Sequence, residues 1–232
     1  MIRVGCCGFP TSMEKYFQMF DVVEVQKTFY KPPRPETAAR WRETAGEGFE
    51  FTVKAFQVIT HPPSSPTYRK ARLKVDDGGF FRPVKAVFDA WERTREIAKV
   101  LESRIVVFQT PKSFRESEEN IRNMKEFFSS IEREFVFCWE PRGWRSERVR
   151  EVCERLDLVH VVDPFVERSV YGELRYYRLH GFNYKHKYSD EELEWLAERV
   201  RGERGCYVMF NNVHMLDDAT RFSRILEGFE RK

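Results

Sequence analysis

The chain of 232 residues is poor in side-chain amides and thiols: five Asn, four Gln and five Cys. The cysteines (Cys6, Cys7, Cys138, Cys153 and Cys206) are odd in number and include no CxxC pair. That argues against a disulfide framework and fits a reducing, cytoplasmic location. No apolar run approaches the roughly 20 residues of a spanning helix, so no membrane segment is expected. The first residues, MIRVGCCGF, lack the long apolar stretch of a signal peptide. Net charge is also scarce: 40 Lys and Arg against 37 Asp and Glu leave +3, too little to imply extensive nucleic-acid coverage. Tight metal spacing such as HExxH is missing. Few amides beside 28 Glu hint at a thermophilic source.

Aromatic residues make up 15% of the chain, including 21 Phe, which is too much apolar surface for a disordered polypeptide. Eight short segments rich in β-branched and aromatic residues read as strands: Ile2–Cys6, Val22–Gln26, Phe49–Ala55, Arg104–Gln109, Phe135–Trp139, Leu158–Val162, Arg175–Leu179 and Cys206–Phe210. Helical stretches fall between most of them: Pro35–Ala45, Pro83–Leu101, Glu116–Glu132, Ser146–Leu156, Ser189–Val200 and Asp217–Phe229. Ser189 and Glu192 form a capping-box pattern. Only short helices fit between strands one and two and between strands six and seven.

Strands alternating with helices imply a parallel sheet. Eight units of about 29 residues each suit a compact α/β fold, the (β/α)8 or TIM-type barrel, as one domain over residues 1–232. An open doubly wound sheet is the alternative. Its usual Gly-rich turn after the first strand is not matched by Gly5-Cys6-Cys7-Gly8. One long loop at 61–82 carries Arg69, Lys70, Arg72 and Lys74 and reads as a solvated excursion or as a lid.

Alternation along a strand sorts side chains onto two faces. Glu24 and Gln26 share a face opposite Val23 and Val25. Glu50, Thr52 and Lys54 oppose Phe51 and Val53, and Arg178 and His180 oppose Tyr177 and Leu179. If the apolar faces meet the helices, these polar groups point into the barrel near its C-terminal mouth. Other strand ends carry Gln109, Glu140 followed by Arg142, Asp163, and the pair Asn211-Asn212, while His61 lies shortly after strand three. In a barrel all of these converge on the rim where active sites of this fold sit. Each also has a structural reading. Glu24 with Lys54 or Arg178 can be an ion pair, Asp163 before Pro164 a turn element, His180 a core histidine and Asn211-Asn212 turn residues. Cys6-Cys7 reads as a buried, inert pair.

The sequence resembles the domain-of-unknown-function family 72. The resemblance is carried by Val23-Glu24-Val25, Thr28-Phe29-Tyr30, Pro35-Glu36-Thr37 with Arg40-Trp41, and Phe49-Glu50-Phe51-Thr52-Val53-Lys54. It continues through Ile59-Thr60-His61, Glu140-Pro141-Arg142 with Trp144, Arg178-Leu179-His180-Gly181 and Phe210-Asn211-Asn212. It implies a TIM-type barrel and no assigned activity. The chain departs from the family pattern at Cys6-Cys7, where Thr-Ser is common. It also departs at Gln26, often Asn, and at Val213, often Asp.

Three functions fit these residues. The first is an enzyme acting on a small anionic or polyhydroxylated substrate as a hydrolase, lyase or isomerase. Lys54, Arg142 and Arg178 would hold the anion, Glu140 or Glu24 would serve as base, and His180 or His61 as acid. Gln109, Asp163, Asn211 and Asn212 would orient the substrate, and Glu24 with Glu140 also allows a two-carboxylate glycosidase. The second is divalent-metal chemistry as a hydrolase, nuclease or isomerase, with Glu140, Asp163, His180 and His61 as ligands. The third is a non-catalytic barrel that binds nucleic acid or protein through Tyr68–Lys74 and Tyr184–Tyr188. The sequence leaves the oligomeric state open.

Overall fold

In the computed structural model, which describes residues 1–230, eight parallel strands close into one barrel with each strand beside its chain neighbour. They are β1 (Ile2–Cys7), β2 (Val22–Val25), β3 (Glu50–Lys54), β4 (Ile105–Gln109), β5 (Val136–Glu140), β6 (Val159–Val162), β7 (Arg175–Leu179) and β8 (Cys206–Phe210). The helices are α1 (Met13–Phe17), α2 (Lys27–Tyr30), α3 (Pro35–Ala45), α4 (Gln57–Thr60), α5 (Pro66–Ala71), α6 (Lys85–Val100), α7 (Glu118–Ser129), α8 (Ser146–Leu156), α9 (Asp190–Val200) and α10 (Met215–Glu230). Residues 231 and 232 of the expected domain lie outside the described residues. No helix among the described residues is long and apolar enough to cross a membrane.

Two apolar layers follow from strand alternation. Cys7, Val22, Ile105, Val107, Cys138, Val161, Tyr176 and Met209 fill the barrel interior. The layer between strands and helices is richer in rings, with Phe108 against Trp91, Phe127, Phe128 and Phe137. Within β3, Phe51 and Val53 join this outer layer. Local signals set the helix ends. Pro35 opens α3, where its missing N–H costs nothing, and Ser189 closes a capping box with Glu192 on α9.

Three local expectations change. Gln26 lies beyond β2, at the start of α2. Between β6 and β7 the chain makes no helix among the described residues. Its one turn is held where Val166 and Glu167 donate to the Asp163 carbonyl at 2.9 and 3.1 Å. The loop at 61–82 is not a free excursion. It contains α5, and the Tyr68 hydroxyl donates to the His61 carbonyl at 2.9 Å. Gly79 and Phe81 donate to the carbonyls of Val58 and Ile59 at 2.7 and 2.9 Å. Gly79 adopts φ +80°, and a Cβ there would lie 2.5 Å from the His61 backbone. Only glycine allows so close an approach.

Candidate functional site

The C-terminal mouth is built around Arg178, whose side chain is fully buried. Its Nε and Nη2 donate to Glu24 Oε2 and Oε1 at 3.0 and 2.9 Å, and its Nη1 donates to Glu140 Oε2. Glu24 also accepts from the Tyr176 hydroxyl at 2.9 Å and from Gln26 Nε2. Tyr176 in turn accepts from Thr52 Oγ1 at 2.7 Å. The result is a continuous ionic chain from β2 through β7 to β5. It satisfies the requirement that a charge removed from water be paired and hydrogen-bonded.

Glu140 carries this chain to the solvent side. Its Oε1 meets His180 Nε2 at 3.1 Å, Arg142 Nη2 at 3.2 Å and Gln109 Nε2 at 3.4 Å. Burial alone would raise its carboxyl. Arg178, then His180 and Arg142, outweigh burial and hold it well below the usual carboxylate range. The side chains of His180 and Arg142 are 27% and 37% exposed, so the mouth opens to water at these two groups. His180 Nδ1 lies 3.2 Å from Asn211 Nδ2. With that amide donating, the ring proton sits on Nε2 and points at Glu140. Asp163 accepts from the backbone N–H groups of His180 (2.8 Å) and Phe165 (3.1 Å) and so fixes the β7 end rather than facing a ligand.

Lys54 lies beside this network. Its Nζ donates to Gln109 Oε1 at 2.5 Å and to Gln26 Oε1 at 3.4 Å, and stands 4.1 Å from the Phe29 ring centre. Burial, then the nearby Arg178, lowers its amine to about 7 in spite of the attraction of Glu24 and Glu140. His61 packs edge-on against Phe29, and its Nδ1 is 2.8 Å from the Thr60 hydroxyl. Burial, then Lys54 and Arg142, lowers it to about 3.

Several roles read from the sequence do not fit this geometry. Arg178 is fully buried and three of its donors go to the two carboxylates, so it positions Glu24 and Glu140 instead of holding an anion. Glu24 is fully buried, which removes the two-carboxylate glycosidase arrangement. Burial, then Lys54 and Arg142, disfavour the imidazolium form of His61, which does not suit it to the role of a charged general acid. Asn212 is buried, its Nδ2 donating to Asp218 Oδ2 and the His186 carbonyl at 2.7 Å, and it stays outside the network. The metal reading needs Glu140, Asp163, His180 and His61 together. Among the described residues no group of three His, Cys, Asp or Glu side chains could hold a metal ion, so the residues do not fit one. Tyr68 and Tyr188 are buried, leaving only Tyr184 of the expected stacking surface exposed. Cys6 and Cys7 are buried free thiols, and burial pushes Cys6 up to about 12.

Tyr176 and Phe29 belong to the site without having been expected there. Tyr176 shares the parity of Arg178 and His180, a signal the sequence did carry. Phe29 lies in a short helix whose direction the sequence does not give. The opposite end of the barrel holds Glu50, paired with Arg3 and accepting from Tyr207, both at 2.7 Å. Clefts of about 590 and 1130 Å³ lie at that end, the larger lined in part by Arg104, Arg133, Arg175 and Arg204.

The family described as "Protein of unknown function DUF72" matches residues 8–231. The UPF0759 protein YecE of Escherichia coli K12 is 41% identical over 60 residues, a stretch spanning 26% of this chain and only 21% of the length of YecE. A crystal structure of the DUF72 family protein EF0366 from Enterococcus faecalis V583 superposes with a TM-score of 0.76 at 18% identity, covering 98% of each chain. Endonuclease IV from Thermus thermophilus superposes with a TM-score of 0.59 at 10% identity over 99% of each chain. At that identity the likeness is one of fold.

Proposed function

The chain belongs to the DUF72 family of proteins of unknown function, and from that premise we propose that its barrel is an enzyme moving a proton on a small anionic or polyhydroxylated substrate. The observation that carries this reading is a buried carboxylate, Glu140, fixed from below by Arg178 and hydrogen-bonded to a half-open imidazole, His180. Glu140 accepts from Nε2 and orients the ring, which leaves Nδ1 as the basic nitrogen. His180 Nδ1, whose one partner among the described residues is the Asn211 amide, is the nitrogen a substrate reaches by displacing that amide. Proton transfer by an imidazole held this way contributes about 10²–10⁴-fold.

Arg142 supplies the anion contact. One of its nitrogens touches Glu140, and its side chain is partly exposed to solvent. A guanidinium in that position binds carboxylate or phosphate through paired hydrogen bonds. Gln26, Gln109 and Asn211 are partly exposed amides around the same opening and suit hydroxyl or carbonyl groups.

A thermal-shift and turnover screen of organic acids, phosphate esters and sugars tests the proposal. Arg142→Ala should weaken the hits about 10- to 100-fold, the loss of a charged hydrogen bond. His180→Asn should keep binding and lose turnover. Hits that bind and react with both variants as with the parent would remove both roles.

A further inference from the structure

We propose that the amino group of Lys54 is a nucleophile that condenses with the carbonyl of a small aldehyde or ketone bearing a carboxylate or phosphate. The inference rests on the reading of the mouth given above and narrows its substrate class.

Its basis is the company Lys54 keeps. Three exposed lysines meet carboxylates: Lys85 meets Asp89, Lys99 meets Glu134 and Lys187 meets Asp217. Lys54 is buried, yet its polar partners among the described residues are neutral amide oxygens, those of Gln109 and Gln26, with the Phe29 ring alongside. A buried structural ammonium calls for a carboxylate partner. Here Arg178 takes up both nearby carboxylates. The ionisable groups around the amine are Cys7 from β1, Glu24 from β2, Glu140 from β5 and Arg178 from β7, with His61 and Arg142 at the edge of the mouth. Burial and Arg178 prevail over the carboxylates, so a large share of the amine is uncharged near pH 7. Desolvation beside a second cation is a known way to activate a lysine.

In the step, the Nζ lone pair attacks the carbonyl carbon and a C–N bond forms. The C=O π pair moves to oxygen, which takes a proton while nitrogen loses one. The nitrogen lone pair then expels the hydroxyl as water, His180 Nδ1 returning to the leaving oxygen the proton it took from the attacking nitrogen. The products are an iminium ion and one water, and no oxidant or reductant is consumed. Arg142 meets the anionic group of the substrate.

The test treats the intact protein with glyoxylate, and separately with neutral formaldehyde, each with cyanoborohydride, which reduces an imine to a stable secondary amine. Peptide mapping then follows every lysine between pH 6 and 9. Lys54 should be labelled about 10-fold or more faster than any surface lysine at pH 7, because ordinary lysines, with pKa near 10.4, stay protonated there. Its rate should be half-maximal near pH 7. Arg142→Ala should slow glyoxylate labelling and leave formaldehyde labelling unchanged. Labelling of Lys54 no faster than that of surface lysines with both reagents overturns the inference. The anion reading would survive that result if phosphate binding still depended on Arg142. Fast labelling of Lys54 by both reagents with no effect of Arg142→Ala would instead keep the amine and remove the anion contact.

Discussion

Without its guanidinium, Arg178 would leave Glu24 and Glu140 as uncompensated carboxylates in a closed interior. Arg178→Met should therefore cost about 3–5 kcal/mol in urea unfolding, the penalty of breaking a buried pair from one side. Arg178→Lys should recover only part of it, because one ammonium cannot span two carboxylates as the planar fork does. Glu140 carries a pH signature. Its folded pKa lies below its unfolded value of about 4.3, so the stability it adds is complete above that pH and lost as pH falls toward the folded value. Glu140→Gln should be less stable than the parent at pH 7, with the gap closing below about pH 4; an equal gap at pH 3 and pH 7 in denaturant titrations would contradict this. The sequence made Glu24, Lys54, Arg178 and His180 legible as inward residues through two-residue alternation. It did not show that Arg178 is consumed by its neighbours, since parity gives the face of a side chain and not its distance from another. Nor did it show that His61 is neutral, which depends on burial and on the charge of Lys54 beyond its own strand.

At the level of elements, the strands were the most legible part, because each alternates a helix-facing apolar residue with an inward one. β7 and β8 match the expected bounds, and β3 and β5 differ only at their ends. Short helices such as α2, α4 and α5 were not legible. Helices of four to six residues gain little from periodicity and are held by tertiary contacts. The 61–82 segment shows the same limit: its charge and length suggested solvent, while Tyr68, Gly79 and Phe81 fasten it across the end of β3. Gly79→Ala places a methyl against the His61 backbone at positive φ. It should destabilise the protein by more than about 1 kcal/mol and open the segment to limited proteolysis. Unchanged melting and cleavage would show that the segment is not anchored at Gly79.

Across the whole molecule, the two ends of the barrel divide the polar residues. The N-terminal end has two clefts and an ion pair between Arg3 and Glu50. The C-terminal mouth has the buried ionic chain, the half-open His180 and the partly exposed Arg142. Enzymes on this fold work at the C-terminal end, which favours the mouth over the N-terminal clefts. The most direct measurement is a crystal soaked in selenate, with the anion located by its anomalous signal. Selenate within hydrogen-bond reach of Arg142 and His180 is the expected result; selenate confined to the N-terminal clefts around Arg104 and Arg204, with none at the mouth, would contradict the assignment.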